Sequence, residues 1–265
     1  MLVAGFDTET TGLDTTNDKI IEVGVALWDT ERRVPLLLYS DMILPPGLTE
    51  LPPKITEITG IQFDDLEKHG RTPSKVLSRL MEIFGMAEAI VAHNGNLFDK
   101  PILASNLKAA GMHEPTYNLN FKPWVDTSCD IEFPPDLKTR KLKHLAAEHG
   151  FLNPFAHRAL FDVLTMLKVC NQYDWAKILA SARTPNHVVQ AVMPFSKQEM
   201  FETKKAKFEK MKEIIKGHGF RFDIDNKAWV KTIKEYNKDA AKAEAAAGGY
   251  TLKLVKKEEP NADKA

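Results

Sequence analysis

Short apolar runs, each closed by turn-forming residues, organise the first two hundred positions. Residues 2–6 are aliphatic and followed at once by polar residues and a glycine, which predicts a buried strand. Residues 19–29 (KIIEVGVALWD) alternate well enough for a second strand. Residues 34–44 (VPLLLYSDMIL) predict a third, its early proline tolerated at a strand start. Three strands this close in the chain predict an antiparallel meander, ended by Pro45-Pro46-Gly47. After a short helical or irregular connection over 51–60, the apolar period changes to helical at 73–84 (PSKVLSRLMEIF), with Thr72 as N-cap before Pro73. A short buried strand at 89–93, a turn at Asn94-Gly95-Asn96 and a helix over 101–110 stopped by Gly111 come next. A strand at 123–127 and helices at 142–149, 157–171 and on to Arg183 complete this part. A meander followed by alternating helices and strands predicts an α/β domain, a mixed sheet with helices on both faces.

Beyond a linker at Thr184-Pro185-Asn186 the pattern restarts on a smaller scale. A strand over 187–195, a helix over 199–216 ended by Gly217, and a hairpin (220–223 and 227–233) around Asp225-Asn226 predict a small α+β module. From Asn237 the chain is rich in Lys, Ala and Glu and reads as a polar, flexible tail. The expected organisation is therefore a domain over 1–183, a module over 184–236 and a tail over 237–265.

The chain has 265 residues, room for one full-sized domain and an appendage. Apolar and charged fractions of 43% and 27% are those of a soluble globular protein, and no apolar run is long enough to span a bilayer. With no secretory-type start and two cysteines, Cys129 and Cys170, that form no spaced pair, the expected setting is the cytoplasm. The formal net charge of zero is unevenly distributed: residues 1–195 carry 19 Lys+Arg against 24 Asp+Glu, a balance of −5, and the remainder carries +5. A basic end on an acidic body fits contact with an anion, and equally a solvated lysine-rich helix.

Candidate chemistry begins at Asp7 and Glu9, two apart on the first strand, so that the pleat points both carboxylates to one face. Like charges at the end of a buried strand repel unless a cation lies between them, the arrangement a hard divalent ion prefers. Asp99, after the 89–93 strand, serves equally well as a helix N-cap and as a ligand. Asp162 lies in a helix whose neighbours are mostly apolar, where a carboxylate is costly unless exposed or coordinated. His157 stands at or just before that helix, where the dipole disfavours the imidazolium, as suits a general base. Asp126, at another strand end, is read as a cap for the segment after it.

Phe6-Asp7-Thr8-Glu9-Thr10-Thr11-Gly12, His93-Asn94 with Phe98-Asp99, and His157-x-Ala159-x-x-Asp162 resemble, in order, the three exonuclease motifs of the DnaQ-like superfamily in its DEDDh branch. The resemblance covers about the first two-thirds of the chain and implies a ribonuclease H-like fold and a two-metal 3′→5′ exonuclease. It implies that Asp7, Glu9, Asp99 and Asp162 hold two Mg²⁺ (or Mn²⁺) ions and that His157 is the general base. Thr10, Leu13, Asn94 and Phe98 then fall where the family contacts the terminal nucleotide. The implied partner is a single-stranded or frayed DNA 3′ end, with RNA trimming as the alternative and an idle binding module as a third reading; a protein partner or homodimer stays open. Gly219-Phe220-Arg221-Phe222-Asp223 and Lys227-Ala228-Trp229 resemble an appendage of exonuclease X-like and phage-type members, with Phe222 where a tryptophan is usual. Its aromatics are expected to form the small module's core.

Overall fold

The computed structural model describes residues 1–112, 117–134, 137, 139–194, 201–223 and 227–257. The meander forms from β1 (Leu2–Thr10), β2 (Ile20–Asp29) and β3 (Val34–Met42), antiparallel in that order. Helices α1 (Pro53–Thr59), α2 (Phe63–His69) and α3 (Pro73–Met86) follow; Pro73 sits in the first turn of α3, but Thr72 makes no side-chain cap bond. Next come β4 (Ala89–Ala92), α4 (Asp99–Ala109), β5 (Trp124–Asp126), α5 (Leu142–Glu148), α6 (Ala159–Cys170) and α7 (Trp175–Ala182). β4 pairs in parallel with β1, and β5 with β4, giving a mixed sheet of order β3-β2-β1-β4-β5. This is a ribonuclease H-like α/β fold.

Alternation along β1 sorts its side chains between two cores. Ala4 and Phe6 face the layer of α3 and α4, where Phe6, Phe84 and Trp124 meet edge to face. Val3 shares the opposite core with Ala26, Trp28, Val163 and Leu167, under α6. Two glycines on that second face let α6 approach closely. A Cβ on Gly24 would lie 2.3 Å from the Leu160 nitrogen, and one on Gly5 would lie 2.6 Å from Leu167 Cδ1.

Beyond them come β6 (Asn186–Val192), α8 (Phe201–Gly217), β7 (Arg221–Asp223), β8 (Ala228–Lys234), a 3₁₀ turn (Glu235–Asn237), α9 (Lys238–Ala247) and β9 (Thr251–Lys257). They build a second, antiparallel sheet of order β7-β8-β6-β9. The expectation of a flexible tail from residue 237 is thereby corrected: 238–247 are helical and 251–257 pair with β6, with Tyr250 and Ala245 buried against Phe220 and Ile215. The hairpin turn at Asp225-Asn226 and the expected element ends at 195 and 199–200 lie outside the described residues. Phe220 is core and Trp229 packs against it, as expected, whereas Phe222 is 46% exposed and is not core. Among the described residues no helix is long and apolar enough to cross a membrane.

Candidate active site

Asp7 and Glu9 continue the α6 face of β1. Across the antiparallel register Asp7 is opposite Gly24 and Glu9 opposite Glu22, so the bare backbone of Gly24 leaves space for α6 to begin directly over the two acids. Asp162, in the first turn of α6, completes the group: carboxylate oxygens of Asp7, Glu9 and Asp162 lie within 4.8 Å of one another. Asp99 arrives from the other layer. It is the first residue of α4 and buried, and its Oδ1 accepts a hydrogen bond of 3.1 Å from the hydroxyl of Thr8, whose side chain points to the α4 face of β1. The N-cap position of α4 is taken by Phe98, and Asp99 is the first helical residue. Asp99 is thus outside the three-oxygen cluster while still facing Asp7 through space.

The electrostatics follow from crowding acids in a desolvated place. Burial, then the charges of Asp99, Glu9, Asp162 and Glu22, hold the Asp7 carboxyl well above the ordinary range. Burial, with Asp162 next, pushes Glu9 up to about 8, against a smaller downward pull from Arg158. Asp99 is pushed up to about 7 by burial, opposed first by Arg221 and then by the Thr8 hydroxyl. Burial also raises Asp162, opposed by the hydrogen bond that the His157 backbone nitrogen donates to it at 2.8 Å. Asn153 donates a second bond to Asp162, at 2.7 Å. Hard oxygen donors at mutual distances below 5 Å, each disfavoured as a bare anion, suit a hard divalent cation, whose charge removes the repulsion. The residues present fit such an ion.

His157 is exposed, immediately precedes Arg158 at the α6 N-cap position, and has φ of +65°, the left-handed region that non-glycine residues seldom occupy. Asn94, φ +61°, sits in the turn after β4. Thr10 is buried with its hydroxyl donated to the Gly12 carbonyl at 2.6 Å, so that group holds the turn. Leu13 is 60% exposed and lines one pocket with Phe98. Asp126 caps Ser128, as expected, at 3.0 Å from its nitrogen, and also accepts from the backbone nitrogens of Asn94 and Asn96, which fixes the turn leading to Asp99.

Three contributors were not anticipated. Glu22, 1% exposed, accepts from Arg158 Nη2 at 2.7 Å and from the Ala159 nitrogen at 3.0 Å, tying the start of α6 to β2. Its signal in the sequence is a lone acid inside the otherwise apolar β2 run. Thr8 orients Asp99, as period-two alternation on β1 could have suggested. Arg221, from β7, stacks over the Phe98 ring at 4.7 Å, and nothing local in the sequence announces that contact.

A family model described as exonuclease, RNase_T, matches residues 4–170. The subunit epsilon of DNA polymerase III from Treponema pallidum is 30% identical over 190 residues, 69% of this chain and 80% of that protein. A PolC-type DNA polymerase III from Clostridium perfringens is 35% identical over 159 residues, but the chain spans only 10% of its length. Among solved structures, a complex of Escherichia coli exonuclease I with single-stranded DNA shares the fold at a TM-score of 0.56 and 17% identity, over 72% of this chain and 48% of that one. The nuclease domain of 3′hExo, a DEDDh family member bound to rAMP, does so at 0.53 and 16%, over 64% of this chain and 90% of that one.

Proposed function

Because the chain belongs to the RNase_T exonuclease family, within the DnaQ-like superfamily, we propose that it is a metal-dependent 3′→5′ exonuclease. Its substrate in this reading is a single-stranded or frayed DNA 3′ end, and its product a nucleoside 5′-monophosphate. The observation that carries the proposal is the meeting of Asp7, Glu9 and Asp162 oxygens within 4.8 Å, with Asp99 facing Asp7 from the opposite layer. Similarity to polymerase III subunits supports DNA over RNA.

Asp7, between Asp99 on one side and Glu9 and Asp162 on the other, would be the ligand common to two Mg²⁺ or Mn²⁺ ions. Bound there, such ions supply charge neutralisation at the phosphodiester and a water activated at neutral pH. His157, exposed and adjoining Asp162, accepts the proton of the attacking water on a ring nitrogen. Leu13 and Phe98 bound the place of the terminal nucleotide, and Asn94, fixed through Asp126, adds a polar edge.

The test is mononucleotide release from 3′-labelled DNA and RNA oligomers with Mg²⁺ or Mn²⁺. Asp7→Ala should lower the rate by at least about 10²-fold, the scale for loss of one electrostatic stabiliser. His157→Ala should cost roughly 10²- to 10⁴-fold, the range for a general base. Release that persists in EDTA, or its absence from the intact protein, overturns the proposal; faster release from RNA replaces the DNA preference alone.

A further inference from the structure

A cleft of about 320 Å³ runs along the seam between the exonuclease domain and the C-terminal sheet, starting at Asn94 beside the acidic site. Its charged lining is all basic: Arg140 and Lys141 from the stretch before α5, Lys216 from the end of α8, Arg221 from β7 and Lys231 from β8. Among the described residues no carboxylate lines it, although the whole chain has as many acids as bases.

The five do not play one part. Lys231 donates to the His218 carbonyl at 2.6 Å and to Glu244 at 3.1 Å with a side chain only 11% exposed, so it belongs to the module's own structure. Lys216 pairs with Glu213 one turn away at 3.0 Å, a partly exposed contact of the kind worth under about 1 kcal/mol. Arg140 gives one nitrogen to the Ser128 carbonyl at 2.7 Å and has further donors in its planar fork. Lys141 is exposed. Arg221 lines both this cleft and the pocket of Leu13 and Phe98, with its guanidinium carbon 4.7 Å over the Phe98 ring centre and several N–H donors in its fork.

Glu244, Glu213 and, behind Arg221, Asp99 already offset part of this charge. The donors that an anion in the cleft would engage are therefore chiefly those of Arg140 and exposed Lys141, with Lys216 only weakly held. We infer that this seam holds the phosphodiester backbone of a single strand as it leaves the exonuclease site, with Arg221 at the scissile end and Arg140, Lys141 and Lys216 on the phosphates upstream. The inference rests on the exonuclease reading above. The C-terminal sheet then acts as one wall of the substrate path, and the exonuclease domain alone would grip a strand poorly.

The experiment uses the full chain carrying Asp7→Asn, in EDTA, with 5′-fluorescein-labelled dT20 and rU20 followed by anisotropy across a salt series. Lys141→Gln with Lys216→Gln should lower the slope of log affinity against log salt by about 1.4, since each lost phosphate contact on a single strand removes about 0.7. Weakening at fixed salt should be about tenfold, equal for the two oligomers because both offer the same backbone. In the background with Asp7 intact, the same pair of substitutions should raise KM on dT20 and leave hydrolysis of the nitrophenyl ester of dTMP unchanged, a split that loss of folding would not produce. An unchanged slope overturns the inference even where wild-type hydrolysis is normal. A reduced slope in a protein that releases no mononucleotide keeps the seam and sinks the exonuclease reading instead.

Discussion

At Asp7, a carboxyl enclosed by sheet and helix faces four others, Asp99, Glu9, Asp162 and Glu22. Raised carboxyls make the cation-free protein sensitive to pH in a definite direction. Glu9 titrates at about 8 and Asp99 at about 7 when folded, against about 4 to 4.5 in an unfolded chain. Between those limits the native state keeps protons that the unfolded chain has released, so stability is fullest below about pH 4.5 as far as these groups go and falls as pH rises through 7 and 8. The expected result is a Tm in EDTA that declines from pH 5 to pH 8.5. Mn²⁺ should reverse the decline by binding the native state alone. Asp7→Asn should lift the Tm of the chelated protein at pH 8 and abolish the Mn²⁺ response. Calorimetry at three pH values checks this, and a chelated Tm that climbs over the interval contradicts it.

At the scale of elements, the site depends on how closely α6 approaches β2. Ala at Gly24 would drive a methyl group into the Ala159–Leu160 backbone at 2.3 to 2.4 Å, and backbone cannot swing aside as a side chain can. Overpacking of this kind costs about 1–3 kcal/mol, and here it would also push Asp162 off Asp7 and Glu9. Gly24→Ala should therefore lower stability to urea and shrink the Mn²⁺-induced rise in Tm; Gly5→Ala, which meets the flexible Leu167 side chain, should affect stability more than Mn²⁺ response. The same elements show what could be read beforehand. β1, β2 and α3 stand out because their apolar periods are long and end in clear punctuation. α2 does not stand out from its surroundings because FDDLEKH spans only seven residues and just two of them are large and apolar. β9 reads as tail in the sequence because TLKLVKK is the polar pattern of an edge strand, with Lys253 exposed and Leu252 against the core. Asp7 and Glu9 are legible through strand spacing, and Asp162 as a carboxylate amid apolar helix positions that also fits the third motif. The roles of Glu22 and Arg221 depend on which surfaces dock, and local pattern carries no record of that.

The molecule as a whole is joined by a polar contact buried between its two sheets. Lys234 on β8 and Asp130, just past β5, form an ion pair with both side chains fully buried, and Lys234 also donates to the Thr184 carbonyl at 3.1 Å. Ser181 on α7 bonds Asp130 at 3.3 Å and the Tyr236 hydroxyl at 2.8 Å, closing the network. Burial pushes Asp130 up to about 6 even with Lys234 drawing it down, which leaves it ionised at pH 7 and dependent on its partner. Lys234→Met would strand that charge, and removing one member of a buried pair typically costs about 3–5 kcal/mol. Asp130→Leu alone would strand the ammonium at a similar cost. The double variant should recover most of either loss, because two apolar groups of matched size need no counter-ion. Since the Asp130 carboxyl can take up a proton, the deficit of Lys234→Met should also narrow as pH falls from 7 to 5, whereas that of Asp130→Leu should not. Urea unfolding of the four proteins at the two pH values decides the matter. Additive losses in the double variant would mean that the two residues act separately, and that apolar packing carries the joint.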